Sequence, residues 1–321
     1  MYDVIALGEL LIDFAPEGSD LHKNLFLANP GGAPANVLVA LSKMGRRTAF
    51  IGKVGLDKFG TSLKETLESY EIDTTGLVFS DNVKTTLAFV HLDESGDRSF
   101  SFYRNPGADM TLNENEVRYD LIRQARIFHF GSLSMTNEPA RAATLKAVEF
   151  AKQFGGLISY DPNLRLPLWS SSDEAKTVIV SALSYADILK VSEEELFFLT
   201  RESDVEIGSR ILQKSFGLNL ILVTLGAQGC FYRLNGESAI VPGIKVNTVD
   251  TTGAGDAFVA AILHKISDDV TLNNVSQLSR TRIKEYVSFA NVVAALSTTK
   301  KGGIPSMPSM AEINNHLLGI S

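Results

Sequence analysis

Short apolar runs alternate with helical runs along most of the 321-residue chain. The strand-like runs are DVIALG, TAFIGKVG, RIFHFG, GLISYD, ADILKV and LILVTLG. Helix-like runs such as ANVLVALSKMG, TSLKETLESY and PARAATLKAVEFAKQFG lie between them. This βαβ alternation with short connections predicts an α/β fold, in which helices cover both faces of a mostly parallel sheet.

Two stretches interrupt this alternation. The first, Leu11 to Ala28, has no helical period and is followed by NPGGAP; the second, TLAFVHLDESGDRSFSFYR, indicates two strands joined by a tight turn at residues 94–97 (Glu-Ser-Gly-Asp). We expect segments of about 11–30 and 84–108 to form a small β-sheet that projects as a lid over the active face. A surface hairpin without a role is the alternative. With no repeat or long linker, residues 1–321 are predicted to be a single domain.

Composition narrows the choice of partner. The net charge is −7 and the pI is about 5.4, which argues against nucleic acid as the main ligand. The single cysteine, Cys230, excludes an internal disulfide and lies in the strand-like run GCFYRL, typical of a small buried side chain. No signal-peptide pattern and no apolar run of ~20 residues is present, so we expect a cytoplasmic protein without a membrane segment.

The common motifs of nucleotide, zinc and hydrolase sites are absent. Gly52-Lys53 lacks the upstream glycine of a P-loop and is followed by Val54. The run GAGDAF carries Phe258 where a dinucleotide fingerprint requires glycine. Neither HExxH nor GxSxG occurs, which removes the usual zinc-hydrolase and serine-hydrolase patterns.

The stretch VDTTGAGDAFVAAIL places small residues and one acid directly before an apolar helix. Gly253, Ala254 and Gly255 let the backbone turn sharply and stay uncovered, and Asp256 lies in or just before the first helical turn. A helix N-terminus presents unpaired N–H groups that suit an anion. Asp256 is therefore either a helix cap or a catalytic acid that shares its site with an anionic substrate.

Two further turns follow apolar strands. In TLGAQG, Thr224, Gly226 and Gly229 form a turn that a nucleotide could approach closely, although a simple strand-to-strand turn is the alternative. In KVSEEE, Ser192 and Glu195 match a capping box. Capping and the organisation of a metal ion by Glu195 both remain open from the sequence.

Polar residues also stand at several predicted strand ends and turns. They are Asp13 and Asn36 near the N-terminus, with Arg104 and Arg165 in the turn-rich stretches FYRNPGAD and YDPNLRLPLW. Gly32, just before Asn36, is a small residue that leaves room for a ligand. Ligands of open α/β sheets bind outside the carboxyl ends of the strands. Such a mixture of carboxylate, amide and guanidinium groups suits a polyol.

From Ile5 to about Pro308 the chain resembles the ribokinase-type, or PfkB, family of carbohydrate kinases. The resemblance rests on GGAPANVLVALSKMGRRTAFIGKVGLDKFG and DTTGAGDAFVAAIL. Further stretches, GELLIDF, FYRNPGADM, SYDPNLRLPLW and ADILKVSEEELFFLT, are most similar to those of the fructokinases in that family. The resemblance implies a ribokinase-like three-layer α/β/α fold with a β-sheet lid.

The resemblance also implies roles for individual residues. Asp256 would be the catalytic base, and Gly253, Ala254 and Gly255 with the Asp256 amide would form an anion hole for the phosphoryl group. The sugar would be held by Asp13, Gly32, Asn36, Arg104 and Arg165. ATP would contact Lys190, Ser192, Thr224, Gly226, Gly229 and Asn291.

Two metal ions are implied in the same way. Glu195 would organise Mg²⁺ indirectly, although Ser192 stands where the family motif has an asparagine. A K⁺ ion would brace the anion hole through oxygens, mostly backbone carbonyls, of Asp250, Thr252, Ser297, Lys300, Gly302 and Ser306. A Gly-Gly-Pro surface turn is the alternative for this last segment.

The predicted function is an ATP-dependent sugar kinase that phosphorylates D-fructose at its 6-hydroxyl. A 2-keto-3-deoxygluconate kinase and an aminoimidazole riboside kinase are the alternatives within the family, and a catalytically silent sugar-binding protein is the alternative outside it. The resemblance further implies a homodimer formed through the lid.

Overall fold

The structure, a computed structural model, describes residues 1–17, 25–92, 98–269 and 274–319. Within them the chain forms thirteen strands, which are β1 (Tyr2–Leu7), β2 (Leu11–Pro16), β3 (Phe26–Gly31), β4 (Thr48–Gly55), β5 (Asp73–Ser80), β6 (Leu87–Leu92), β7 (Arg98–Tyr103), β8 (Ala125–Gly131), β9 (Leu157–Asp161), β10 (Ile188–Ser192), β11 (Leu220–Thr224), β12 (Gly229–Leu234) and β13 (Glu237–Pro242). The α-helices of the same residues are α1 (Ala33–Lys43), α2 (Lys58–Ser69), α3 (Tyr119–Ile122), α4 (Ala140–Gln153), α5 (Ser172–Leu183), α6 (Glu193–Thr200), α7 (Val205–Phe216), α8 (Ala254–Asp268), α9 (Arg280–Ser297) and α10 (Met310–Leu317).

Nine strands form the main sheet, in the order β13-β12-β11-β10-β9-β8-β1-β4-β5. Neighbours from β11 to β5 run parallel, while β12 and β13 add an antiparallel pair at one edge. The prediction of a mostly parallel sheet is confirmed. Because parallel strands end at one edge of a sheet, the residues after β1, β9, β10 and β11 come close together there.

Each face of this sheet is covered by its own set of helices. Along β1, Val4 and Ala6 point into one core, and Ile5 and Leu7 point into the other. The first core is completed by α1, α2, α8 and α9, and the second by α4, α5, α6 and α7. This arrangement explains why runs such as LILV in β11 are apolar at successive positions rather than at alternate ones.

The smaller sheet has the order β3-β2-β6-β7 and is built from the two stretches that interrupt the βαβ alternation. Its strands pair antiparallel except for β2 and β6, which are parallel. Phe14 and Phe89 stack at 4.6 Å between ring centroids, so this sheet has an aromatic face of its own. The predicted turn at residues 94–97 lies outside the described residues.

No helix in the described segments is long and apolar enough to span a membrane. Cys230 is fully buried on β12, and burial raises the pKa of its thiol well above the ordinary value. The buried, protonated thiol agrees with its interpretation as a small core residue rather than a nucleophile.

Candidate active site

A cavity of about 1040 Å³ lies between the carboxyl ends of the central strands and the small sheet. Leu11, Asp13, Asn29, Val90 and Phe102 line it from the small sheet, which therefore forms one wall of the cavity. The opposite wall comes from the strand ends and from the start of α8. The small sheet thus covers the face where the sequence predicted a lid.

The N-terminus of α8 opens into this cavity. Gly253 is the N-cap residue with φ of 77°, a left-handed conformation that favours glycine, and no side chain caps the helix. The amide of Ala254 donates to the carbonyl of Thr251 at 3.2 Å. In the described parts of the chain, the amides of Gly255 and Asp256 have no acceptor, so two N–H groups remain available for an anion.

Asp256 occupies the third position of α8 and is 7% exposed. Its Oδ2 accepts a hydrogen bond of 2.8 Å from Nδ2 of Asn36 on α1. Burial raises the pKa of Asp256 to about 6, although the Asn36 hydrogen bond opposes the rise. The carboxylate is therefore ionised near neutral pH and oriented by a neighbour, as a general base requires.

Asp13 and Arg165 both line the larger cavity, and their charges interact across it. Among the described residues the Asp13 carboxylate accepts no hydrogen bond, and burial raises its pKa to about 7 although Arg165 opposes the rise. The exposed Arg165 lines the same cavity, as do Gly32 and Asn36. Four of the five predicted sugar contacts are thus brought together.

Arg104 is the exception among the predicted sugar contacts, because it does not line the cavity. Its guanidinium is buried and donates to Asp109, to the hydroxyl of Thr136 and to the carbonyl of Leu133. Leu133 itself lines the cavity, so Arg104 lies one layer behind the wall. A direct contact between Arg104 and the sugar remains a prediction that this geometry does not support.

Lys190, near the end of β10, lies beside the start of α8. Its Nζ donates to Oδ2 of Asp161 at 3.0 Å, and a Cβ built on Gly255 would lie 3.0 Å from the same Nζ. Burial alone would lower the pKa of Lys190, but Asp161 and Glu195 outweigh it and raise the pKa. A permanent cation therefore stands next to the two free amides.

Ser192 and Glu195 form the predicted capping box at the start of α6. The Glu195 amide donates to the Ser192 hydroxyl at 3.2 Å, and the Glu195 carboxylate accepts from the Ser192 amide at 2.7 Å. Its other oxygen accepts from the amide of Leu164 at 2.7 Å. Burial raises the pKa of Glu195, while Lys190 opposes the rise. Both residues also line the cavity, so capping does not remove Glu195 from the site.

Glu195 is the carboxylate that lines the cavity near Lys190. In the described residues no group of three or more His, Cys, Asp or Glu side chains could hold a metal ion. Asp161 is 2% exposed and pairs with Lys190, and it does not line the cavity. Mg²⁺ commonly takes one or two carboxylates together with water and substrate phosphates, so Glu195 is the residue through which the predicted ion would be organised.

A second cavity of about 850 Å³ adjoins the first at the start of α8. Thr224, Gly226, Thr251 and Gly255 line both cavities. The second cavity is otherwise lined mainly by apolar side chains and backbone, and it includes the predicted nucleotide contacts Gly229 and Asn291. Asn291 donates from Nδ2 to the carbonyls of Val241 and Pro242, so this amide also holds α9 against β13.

The segment predicted to bind K⁺ packs against the start of α8. The Asp250 carboxylate accepts from the amides of Thr252 and Gly302, at 2.8 and 2.9 Å. The Ser306 hydroxyl donates to the carbonyl of Gly303. The remaining predicted ligands, Ser297 and Lys300, lie at the end of α9 and directly after it. The binding of K⁺ by these six residues stays a prediction from the resemblance.

The sequence analysis did not identify two residues of the site. Asp161 ends β9 and pairs with Lys190, and Glu9 follows β1, where it lines the cavity and is 2% exposed. Each is an acid placed at the carboxyl end of a predicted strand. The rule that ligands bind at such ends could have found both.

The comparisons with known proteins identify the family. The profile described as "pfkB family carbohydrate kinase" matches residues 1–310. The chain belongs to this family. It is an ATP-dependent carbohydrate kinase with the ribokinase-like fold.

Several individual proteins resemble this kinase over nearly its whole length. Fructokinase-2 of Solanum habrochaites is 47% identical over 319 residues, which are 98% of this chain and 96% of that relative. The structure of a fructokinase with bound ATP from Xylella fastidiosa has a TM-score of 0.91 at 31% identity, covering 100% of this chain and 99% of that one.

Two further solved structures contain different bound substrates, fructose in one and a riboside in the other. A fructokinase double mutant from Vibrio cholerae O395, with fructose, ADP and a potassium ion bound, has a TM-score of 0.85 at 35% identity and covers 97% of this chain and 96% of its own. The aminoimidazole riboside kinase of Salmonella enterica, with its riboside and an ATP analogue, has a TM-score of 0.83 at 29% identity and covers 98% and 99%.

Proposed function

We propose that this kinase transfers the γ-phosphoryl group of ATP to the 6-hydroxyl of D-fructose. The observation that carries the proposal is the junction of the two cavities at the start of α8. A sugar in the larger cavity and a nucleotide in the smaller one would meet there, beside Asp256 and the free amides of Gly255 and Asp256. The similarity to fructokinases supports fructose as the sugar.

Asp256 acts as the general base in this proposal. Its ionised carboxylate takes the proton of the 6-hydroxyl as the hydroxyl oxygen attacks the γ-phosphorus, and ADP leaves on the opposite side. Asn36 holds one carboxylate oxygen and leaves the other for the hydroxyl. Such a transfer needs alignment and charge stabilisation more than covalent chemistry.

The transferring phosphoryl group is stabilised by groups that are already in place. The two free amides at the start of α8 point at developing negative charge, and Lys190 adds a positive charge beside Gly255. Mg²⁺, associated with Glu195 through water, would neutralise charge on the ATP phosphates. K⁺, held by the segment around Asp250 and Gly302, would brace the same helix start from behind.

The sugar is held by groups that face the cavity. Asp13 accepts hydroxyl hydrogen bonds, because its carboxylate has no partner in the described parts of the chain. Arg165 lies opposite and donates, and Gly32 also lines the cavity. The contacts from the small sheet, such as Val90 and Phe102, exclude water from the acceptor hydroxyl.

A second copy of the chain is the proposed partner, joined through the lid. Among the described residues, β3 and β7 are the edge strands of the small sheet, and Leu25, Leu27 and Tyr103 are at least half exposed beside or on them. Exposed apolar side chains at open edges are typical of an interface. Sedimentation should give a dimer, and Leu27→Lys should shift it towards monomer; a wild-type monomer at micromolar concentration contradicts the proposal.

The compartment stays a prediction from the sequence. One relative, from Arabidopsis thaliana, is named "Probable fructokinase-6, chloroplastic". Fractionation of cells that produce the tagged full-length protein tests the cytoplasmic prediction.

The test of the function is ADP release from MgATP over a panel of sugars. Fructose, ribose, glucose, tagatose, 2-keto-3-deoxygluconate and aminoimidazole riboside are compared, each with K⁺ or with Na⁺ at equal ionic strength. We expect selective turnover of fructose, a product that carries the phosphate at carbon 6, and a faster rate in K⁺. Preferential turnover of the riboside or of 2-keto-3-deoxygluconate would replace fructose and keep the transfer chemistry. Binding of sugar without turnover would overturn the enzymatic proposal.

A further inference from the structure

Glu9 is a buried acid whose position the sugar-kinase chemistry does not explain. It follows β1 and lines the larger cavity, yet it is 2% exposed. Its Oε1 accepts a hydrogen bond of 2.9 Å from the amide of Ala33, the first residue of α1. Its Oε2 is buried without a hydrogen-bond partner in the described parts of the chain.

The start of α1 lacks the usual local means of capping. Gly32 is the N-cap residue and has no side chain to offer, and the first turn of the helix contains no acidic residue. Pro34 has no N–H group, so Ala33 carries one of the few donors that need an acceptor there. Glu9 supplies that acceptor, and its carboxylate complements the positive end of the helix dipole.

The same end of β1 is locked against α1 by packing. A Cβ built on Gly8 would lie 2.5 Å from Cγ of Pro34, and one built on Gly32 would lie 2.4 Å from the carbonyl oxygen of Glu9. Such close approaches fix the height of α1 relative to the sheet. One turn into that helix, Asn36 donates the hydrogen bond that orients Asp256.

We infer that Glu9 is a positioning residue that caps α1 from outside the helix and thereby holds Asn36 in line with the carboxylate of Asp256. The inference rests on the proposed role of Asp256 as the base. Glu9 acts through the backbone and through Asn36, and it does not touch the sugar.

The charges around Glu9 and Asp256 determine how the loss of this cap would change the pH profile of the enzyme. Burial raises the pKa of Glu9 to about 7, with Asp109 and Arg104 facing it. Asp256 faces Asp161, which raises its pKa, and Lys190 and Arg165, which lower it. Because the Asn36 hydrogen bond also lowers the pKa of Asp256, weakening it should move the acid limb of the pH profile to higher pH.

The test compares Glu9→Gln with Glu9→Ala in steady-state kinetics. Glutamine keeps an oxygen acceptor for the Ala33 amide, so kcat should stay within about 3-fold of the parent; alanine removes the acceptor, and kcat should fall ~5–10-fold for a cap of ordinary strength. The KM for the sugar should change less than 2-fold or so, since no sugar contact is lost. The acid limb of the Glu9→Ala profile should shift upwards.

A double-mutant cycle identifies the route of the effect. If Glu9 acts through Asn36, Glu9→Ala should lower kcat much less in an Asn36→Ala background than in the parent. Asp204→Ala is the matched control, because Asp204 caps α7, away from the cavity. That variant should lose thermal stability without a change in kcat or in the pH profile.

Three results would overturn the inference. They are additive effects in the cycle, a Glu9→Gln variant as impaired as Glu9→Ala with a raised sugar KM, and a Glu9→Ala variant with unchanged kcat and pH profile. If Glu9→Ala fails to fold, Glu9→Asp replaces it, because the shorter side chain withdraws the acceptor by one methylene. The proposed function is tested by other experiments, in which Glu9 is unchanged. Turnover that persists in Asp256→Asn, or a preference of the parent enzyme for another sugar, would contradict that function.

Discussion

Two helices begin at the wall of the same cavity, and their N-termini are completed in opposite ways. Each has an acid at its third position, Glu195 in α6 and Asp256 in α8. Ser192 caps α6, and Glu195 folds back to the Ser192 amide. Gly253 begins α8 without a side-chain cap, and Asp256 instead accepts from the distant Asn36.

The difference shows how one residue at the N-cap changes the use of a neighbouring acid. With serine at the N-cap, the helix satisfies its own amides and the acid is held in the capping box. With glycine there, the amides of Gly255 and Asp256 stay open to a ligand and the carboxylate is free to take a role in chemistry. The predictions below test this contrast, from the largest expected effect to the smallest.

Removing the charge of Asp256 should have the largest effect. Asp256→Asn keeps the shape of the side chain but removes the base, so kcat should fall ~10²–10⁴-fold. Sugar affinity, measured by calorimetry, and the thermal unfolding midpoint should stay close to those of the parent. Activity within a few-fold of the parent would exclude Asp256 as the base.

Adding one methyl group at the open helix start should come next. In Gly255→Ala the new Cβ would lie 3.0 Å from Nζ of Lys190 and would crowd the path to the free amides. We expect kcat to fall about 10-fold or more, as when an oxyanion donor is disturbed. Because alanine favours helix more than glycine, the unfolding midpoint should not fall. An unchanged kcat would show that the phosphoryl group lies elsewhere.

The pH profile should report the burial of the acid at α8. Since burial raises the pKa of Asp256 to about 6, the carboxylate becomes protonated and inactive as the pH falls through that value. At pH 5 about a tenth of Asp256 is ionised, so kcat at saturating sugar should be about a tenth of its plateau, and this limb should be level above pH 7. An acid limb near pH 4 would mean that Asp256 is solvated or more strongly paired in the working enzyme.

Substitutions at the capped start of α6 should change activity least. Their effects should be seen in stability and in the Mg²⁺ dependence of the rate. Ser192→Ala should cost about 1 kcal/mol of unfolding free energy and change kcat less than about 3-fold. Glu195→Gln keeps a capping side chain but loses the charge, so the Mg²⁺ concentration for half-maximal rate should rise several-fold at little cost in stability. Equal Mg²⁺ dependence in Glu195→Gln and the parent would leave Glu195 with the capping role alone.

Much of the fold could be predicted because its signals are local. The apolar runs became strands of the main sheet, and the two irregular stretches became the small sheet. The capping box at Ser192 and the uncapped start of α8 could also be predicted from the sequence, because each depends on residues within one helical turn. The two irregular stretches also predicted a lid over the active face, and the small sheet forms one wall of the larger cavity.

The pairings between distant segments could not be predicted. Arg104 was expected at the sugar, but its buried guanidinium donates to Thr136 and to the carbonyl of Leu133, which only the fold brings next to it. Glu9 lies well before Ala33 in the chain, and only the packing of β1 against α1 brings them together. Lys190 and Asp161 pair because β9 and β10 are neighbours in the sheet.

The small sheet leaves and re-enters the main fold at two places, between β1 and α1 and again between β5 and β8. Asp13, which lies on β2 of this sheet, and the start of α8 therefore belong to separate stretches of chain. The strands of the small sheet can be exchanged without altering the start of α8. A chimaera that carries the small sheet of a relative with another sugar should change its sugar preference towards that of the relative. The small sheet is therefore a natural unit for redesign.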